Sequence, residues 1–278
     1  MKASLLLLSL LLAVAQVSTS DSGCECGIPS VHPRIIGGRP AVPNRYPWIV
    51  WIRSAGGWDS CTGSLLSDSV VLTAGHCVPD HLDPFSMSVH MSQECGSLSR
   101  TWSPDKGIKV AKITRHPGFG SFGHGNDAAL LHLQRPGFGQ PSRRVMPICL
   151  TRNHSRSFDH HIIAGWGLAN EGRRRVLTGC LNEADVVVHS EAECAILGEH
   201  FSSHPERIAC VGGERNICKG DSGGPLMSSH SSDRMFLTGI ASFSRADCSI
   251  LTHTPAGFER TDHLIDWITS NADGVCVK

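Results

Sequence analysis

Residues 216–225 read NICKGDSGGP, and the second half of that stretch decides how the rest of the chain is read. Ser222 is flanked by small residues, with Gly220, Gly223 and Gly224 close on both sides. Glycine takes backbone angles that other residues avoid. It also lets another molecule come close to the peptide N–H groups. A serine hydroxyl is a weak nucleophile until a base removes its proton. The anion formed by attack on a carbonyl then needs hydrogen-bond donors, and the N–H groups of Gly220 and of Ser222 itself can supply them. The stretch therefore asks for two partners elsewhere, a base and a group that orients the base.

Working outward, two segments offer them. VVLTAGHC (70–77) puts His76 at the end of an apolar run, beside Cys77. A histidine there is fixed in place yet can face a cleft. HGNDAALL (124–131) puts Asp127 immediately before another apolar run. A carboxylate buried there can hold an imidazole in one tautomer. A histidine base must be neutral to work, so a rate that depends on it is expected to fall below the ordinary histidine range, about pH 6.5.

The apolar runs are short. WIVWI (48–52), SLLS (64–67), VVLTA (70–74), AALLHL (128–133), DVVV (185–188) and FLTGIA (236–241) are separated by Gly, Pro, Asn and Ser clusters. Many short runs with turn signals between them predict an all-β sandwich or barrel. One helix is expected, at the C-terminus, with Thr261 or Asp262 as its cap and Leu264, Ile265, Trp267 and Ile268 on one face. The 278 residues are 40% hydrophobic with a formal net charge of +0, enough for a sizeable core. That balance gives no reason to expect nucleic acid or an anionic membrane as a partner.

Lys2 precedes an apolar run over 5–15, broken only by Ser9 and followed by small and polar residues. This pattern reads as a cleaved secretory leader over 1–20. The run is shorter than the ~20 apolar residues a membrane span needs. Twelve cysteines suit the oxidising compartment that such a leader implies. Zinc would want clustered cysteine pairs, and apart from Cys24 and Cys26 the cysteines are scattered, so no metal is expected. Asn153-His154-Ser155 is a sequon, which makes Asn153 a candidate glycan site in an exported protein. Residues 21–34 have no hydrophobic period and read as a linker.

TAGHC, NDAALL and GDSGGP, in that order, resemble the trypsin/chymotrypsin family of serine proteases. RIIGG (34–38), YPW (46–48), PICL (147–150), AGWG (164–167) and DWI (266–268) are similar to further landmarks of it. The resemblance covers about residues 35–270 and implies two antiparallel β-barrels packed together with a C-terminal helix. It implies a catalytic triad of His76, Asp127 and Ser222, in the chain order and roles of the chymotrypsin template, with an oxyanion hole at Gly220 and Ser222. It implies no cofactor. It further implies a zymogen with propeptide 21–34, protease domain 35–270 and tail 271–278. Cleavage after Arg34 by an enzyme that cuts after basic residues would free the ammonium of Ile35 to pair with Asp221. Two small departures stand near the triad. Ala74-Gly75 replaces the usual Ala-Ala, and Ala-Ala follows Asp127 in place of Ile-Ala; each is expected to cost a little packing.

The residue six before the nucleophile lies, in the family, at the base of the pocket that reads the substrate. Here it is Asn216, without charge, where trypsin-like members carry Asp. Ile217 adds apolar bulk, Ser242-Phe243-Ser244 replaces Ser-Trp-Gly, and Ala256 replaces a glycine. The expectation is a narrower, neutral pocket for an uncharged side chain of small to medium size. Lys219 and Arg245 are expected near its rim. By resemblance Cys61 pairs with Cys77, Cys194 with Cys210, and Cys218 with Cys248. Either Cys24 or Cys26 reaches Cys149 and tethers the propeptide. The other of these two, with Cys95, Cys180 and Cys276, is left unpaired by sequence. The partners implied are a protein or peptide substrate, an activating protease and a protein inhibitor. The competing expectation is a binding protein that keeps the fold without activity.

Overall fold

The computed structural model describes residues 23–30, 39–54, 60–91, 107–120, 124–134, 137–171, 174–176, 179–197, 204–212, 216–230, 234–244 and 255–278. The expected leader, Arg34, Ile35, Arg245, Cys95 and Cys248 lie outside the described residues.

After the short strand β1 (Arg39–Pro40), six strands form the first barrel: β2 (Ile49–Ser54), β3 (Ser60–Leu65), β4 (Val70–Thr73), β5 (Met87–His90), β6 (Ile108–Arg115) and β7 (Ala129–Leu133). Their order around the barrel is β2-β3-β4-β7-β6-β5, and β5 pairs back with β2, so the sheet is closed. Closure removes the edges that would otherwise expose unpaired N–H and C=O groups. The barrel's strands alternate faces and are enclosed on both, so Ile49, Ile52, Leu65, Leu72, Leu130 and Leu131 are all fully buried.

The second half contributes β8 (Cys149–Leu150), β9 (His160–Gly165), the β10–β11 hairpin (Ala169–Glu171 and Arg174–Val176), β12 (Asn182–Asp185), β13 (Val187–Val188), β14 (Ile208–Gly212), β15 (Pro225–Ser229), β16 (Phe236–Phe243) and β17 (Ala256–Arg260). Apart from the hairpin, these strands and β1 make a nine-stranded sheet in the order β1-β12-β9-β15-β16-β17-β14-β13, with β8 on β16. The sheet curls into a second, nearly closed barrel around Ile163, Val186, Val211, Ile217, Leu226 and Phe258. Two packed antiparallel barrels are the architecture that the order of motifs implied.

Some boundaries differ from expectation. The run at 64–67 is the end of β3 and the turn after it, because the polar residues Ser60–Gly63 are drawn into the ladder by pairing with β2. The run 185–188 is split between β12 and β13. The C-terminal helix spans Thr261–Asn271, with Leu264, Ile265 and Ile268 buried. Its N-cap is Arg260, without a side-chain cap. Thr261 does not cap it; its Oγ1 donates instead to the carbonyl of Leu237 at 2.6 Å, tying the helix start to β16.

Residues 23–30 are packed, not a loose linker. Cys26 is fully buried. Gly27 N donates to Pro147 O at 2.8 Å, and Met235 N donates to Gly27 O at 2.7 Å. Cys24 is bonded to Cys276 and Cys26 to Cys149. Cys61–Cys77 and Cys194–Cys210 are also disulfides. Cys180 and Cys218 are disulfide-bonded too, and the expected Cys218–Cys248 pairing reaches outside the described residues. No helix among the described residues is long and apolar enough to cross a membrane.

Candidate active site

His76 sits in a single turn, Gly75–Cys77, directly after β4. The strand positions it, and the Cys61–Cys77 disulfide pins the turn to β3. Asp127 comes from the loop entering β7, the strand beside β4. Its approach is tightly turned: Gly125 and Asn126 both have positive φ, +81° and +65°. The two side chains meet. His76 Nδ1 lies 2.7 Å from Asp127 Oδ2. The backbone N–H of His76 donates to Asp127 Oδ1 at 2.8 Å. A proton on Nδ1 shared with a buried carboxylate leaves Nε2 as the basic nitrogen. Asp127 is 1% exposed, so its charge is not diluted by solvent.

A third donor reaches the same carboxylate. Ser242 Oγ donates to Asp127 Oδ2 at 2.5 Å across the junction of the barrels. Sequence expected Ser242 in a pocket wall; its hydroxyl reaches the aspartate. The departure at Gly75 also has a local reason. A methyl group there would stand 3.1 Å from the Phe119 ring and 3.2 Å from Asp127 Oδ1, so the space an alanine would fill is already taken. The expected packing loss is therefore absent at this position.

Ser222 lies on the loop between Cys218 and β15, and two threonines of the first barrel hold that loop. Thr62 N donates to Ser222 O at 2.8 Å. Thr62 Oγ1 donates to Gly220 O at 2.9 Å. Thr73 Oγ1 donates to Thr62 O at 2.9 Å. Thr73 is three residues before His76, so the serine loop is stitched to the strand that carries the histidine. Gly223 shows how close the approach is: its φ is +78°, and a Cβ there would stand 2.0 Å from Thr73 Oγ1 and 2.8 Å from Ala74 N. Gly220 has φ +100°, which turns its peptide in a way an L side chain resists. Among the described residues, neither the Gly220 N–H nor the Ser222 N–H donates to a backbone acceptor. Thr62 and Thr73 carry no sequence signal; only the paired strands bring them here.

Beside Ser222, the Asp221 carboxylate points inward. It accepts N–H bonds from Gly167 at 2.8 Å and Cys218 at 2.9 Å. It fills the space where side chains at 165 and 167 would stand. Burial pushes its carboxyl up to about 6, against the two N–H bonds, which favour the charged form.

The expected pocket residues divide. Asn216 is half-buried, and its Oδ1 accepts the N–H of Ile217 at 2.8 Å. Ile217 and Ala256 are buried together in the core of the second barrel with Ala241 and Phe258. Phe243 lies across Gly257, where a Cβ would come within 2.2 Å of its ring. Ser244 follows it, half-buried, and Lys219 is exposed. The only cluster of metal-type side chains among the described residues is Cys61, His76 and Cys77. Its two sulfurs are already bonded to each other, which makes them poor ligands. His124 faces the ring of His204 with centroids 6.1 Å apart. Asn153 is exposed.

The family model for trypsin matches residues 35–268. The chain is 32% identical over 247 residues to serine proteinase stubble of Drosophila melanogaster, an alignment covering 83% of this chain and 31% of that protein. It is 31% identical over 273 residues to transmembrane protease serine 9 of Rattus norvegicus, covering 92% of this chain and 24% of that one. It thus spans less than a third of the length of either relative. With a match across nearly all of both barrels and a histidine–aspartate pair at their junction, the chain belongs to the trypsin family.

Proposed function

We propose that the chain is a secreted serine endopeptidase made as a zymogen. The observation that carries this reading is the orientation of His76 by Asp127, at 2.7 Å and 2.8 Å, beside a serine loop stitched to the same barrel. Ser222 Oγ attacks the substrate carbonyl while His76 Nε2 takes its proton. The Gly220 and Ser222 N–H groups donate to the oxyanion. His76 returns the proton to the leaving amine, which departs and leaves an acyl group on Ser222. Water, activated by the same imidazole, then frees the acid.

Cleavage after Arg34 would give Ile35 an ammonium. Asp221, an enclosed carboxyl raised by burial, is the group such a cation would pair with. Residues 21–34 would stay attached through Cys24–Cys276 and Cys26–Cys149. An activating protease cutting after basic residues and a protein inhibitor follow as partners. The leader 1–20, the protease domain 35–270, the tail 271–278 and a glycan on exposed Asn153 belong to the same reading. For the substrate we favour an uncharged residue of small to medium size before the scissile bond. A neutral Asn216, with Ile217 and Ala256 sharing one apolar cluster, supports that preference.

The test is a cleavage profile on a peptide library after controlled cutting at Arg34, with Ser222→Ala alongside. Cuts after small or medium uncharged residues that disappear in Ser222→Ala support the reading, with a loss of about 10⁶ in turnover. Cuts mainly after Lys or Arg would overturn the pocket assignment. A cleaved chain without any hydrolysis would leave a protease-fold binding protein instead.

A further inference from the structure

Glu259 is a glutamate in an unexpected place. It lies in β17, opposite Ile208 of β14 and Ile240 of β16, inside the nine-stranded sheet. Its exposure is 0%. A carboxyl group so enclosed needs partners, since an unpaired one costs several kcal/mol in effective desolvation. It finds them on the far side of the barrel junction. Oε2 accepts the backbone N–H of Asn126 at 2.8 Å, and the N–H of Asp127 also bears on this carboxyl, favouring its charged form. Oε1 is buried with no hydrogen-bond partner among the described residues.

The two N–H groups belong to the turn that aims Asp127. That turn holds Gly125 and Asn126 at positive φ, so successive N–H groups point to one side. Asparagine tolerates this region better than most residues, but it still needs support from its surroundings. Two residues of the second barrel provide it. The aliphatic chain of Arg207 covers Gly125, where a Cβ would meet Arg207 Cδ at 2.6 Å. Glu259 takes the N–H groups. The charged groups that bear on Glu259 are Asp127, across the junction, and Arg207, which also pairs with Glu206 at 3.2 Å.

We infer that Glu259 is the positioning residue of Asp127: it fixes the backbone of the 125–127 turn from the second barrel, and so sets the angle at which the carboxylate meets His76. The inference rests on the proteolytic reading given above. Burial first, and the charge on Asp127 second, push the Glu259 carboxyl up to about 8. It is therefore neutral over most of the working range and becomes a second negative charge behind Asp127 above it. A glutamine keeps the accepting oxygen and cannot ionise; an alanine loses both.

The experiment uses the full chain cut after Arg34, with kcat and KM measured from pH 5 to 10 per fluorophosphonate-titrated site. Glu259→Ala should lower kcat by about 10- to 100-fold with KM little changed, as expected when a catalytic group is misplaced. Glu259→Gln should recover most of that loss, to within about 3-fold of the parent chain. The parent should show a step in kcat near pH 8 that Glu259→Gln lacks. If Glu259→Ala does not fold, thermal unfolding of the other two decides. The neutral form of Glu259 stabilises the fold fully below the unfolded glutamate range, about pH 4.3. That contribution is lost as pH rises through about 8. The parent should therefore lose more melting temperature than Glu259→Gln between pH 5 and 9. Superimposable pH profiles for parent and Glu259→Gln, or a Glu259→Ala enzyme with unchanged kcat, overturn the inference. A parent chain that neither labels nor hydrolyses sinks the proteolytic reading itself; the melting comparison then tests Glu259 alone.

Discussion

At the scale of single residues, the account turns on what surrounds Asp127 and what stands at Asn216. Ser242 gives a hydrogen bond to a buried charge, and removing such a donor costs about 1.5–3 kcal/mol. Ser242→Ala should therefore lower kcat by roughly 10- to 100-fold without shifting substrate preference, which steady-state kinetics on two peptides would check. Asn216→Asp addresses the pocket. If the neutral amide is what excludes Lys and Arg, the charge should raise kcat/KM for a basic substrate at least about 10-fold. The gain should grow when Ala256→Gly is added, because Ala256 lies in the same buried cluster as Ile217. A basic substrate cut equally well by parent and variants would remove Asn216 from the specificity argument. The pairing of His76 with Asp127 was legible because both motifs are local. The hydroxyl of Ser242 and the carboxyl of Glu259 were not, since each acts across about a hundred residues of sequence on a turn it never neighbours in the chain.

At the scale of elements, apolar runs gave away the strands that are buried on both faces, such as β4 and β7, where nearly every residue is enclosed. They missed β6, IKVAKITR, whose exposed Ala111 and Lys112 and half-buried neighbours blur the pattern. They also missed β12, NEAD, which holds a buried Glu183 because Arg45 and Tyr46 engage it at 2.9 Å and 2.5 Å. No local propensity favours that strand; its partners do. The serine loop is the element most exposed to a clash. Gly223→Ala would place a methyl group 2.0 Å from Thr73 Oγ1 at a φ of +78°. Activity should fall by more than about 10²-fold, with a lower melting temperature. Gly120→Ala, with nothing within 4 Å among the described residues, should be neutral in both measurements. Equal behaviour of the two variants would mean that the loop does not need its close seat on the first barrel.

At the scale of the molecule, the two barrels are joined by hydrogen bonds that cross between them, and the N-terminal segment is locked to the second half. A chain cut after Arg34 should keep its mass on a non-reducing gel and release a short peptide only after reduction, because Cys24 and Cys26 are both bonded. Loss of the peptide without reductant would contradict those bridges. Cutting should also change how stability follows pH. In the uncut chain the Asp221 carboxyl is raised by burial to about 6, above the ordinary carboxylate value. Its neutral form stabilises the fold fully below about pH 3.9, and that contribution is lost as pH rises through the folded value. An uncut chain, held so by Arg34→Gln, should therefore lose more melting temperature from pH 4 to 7 than the same chain carrying Asp221→Asn. After cutting, an ammonium paired with Asp221 would reverse the sign, and the cut form should gain over the uncut one as pH approaches 7. The most direct test of the central claim is covalent labelling by a fluorophosphonate, read by mass spectrometry at residue level, on chains before and after cutting at Arg34. The account predicts label on Ser222 that appears with cutting and is lost in His76→Ala and Ser222→Ala. A correctly cut, folded chain whose Ser222 stays unlabelled would contradict it.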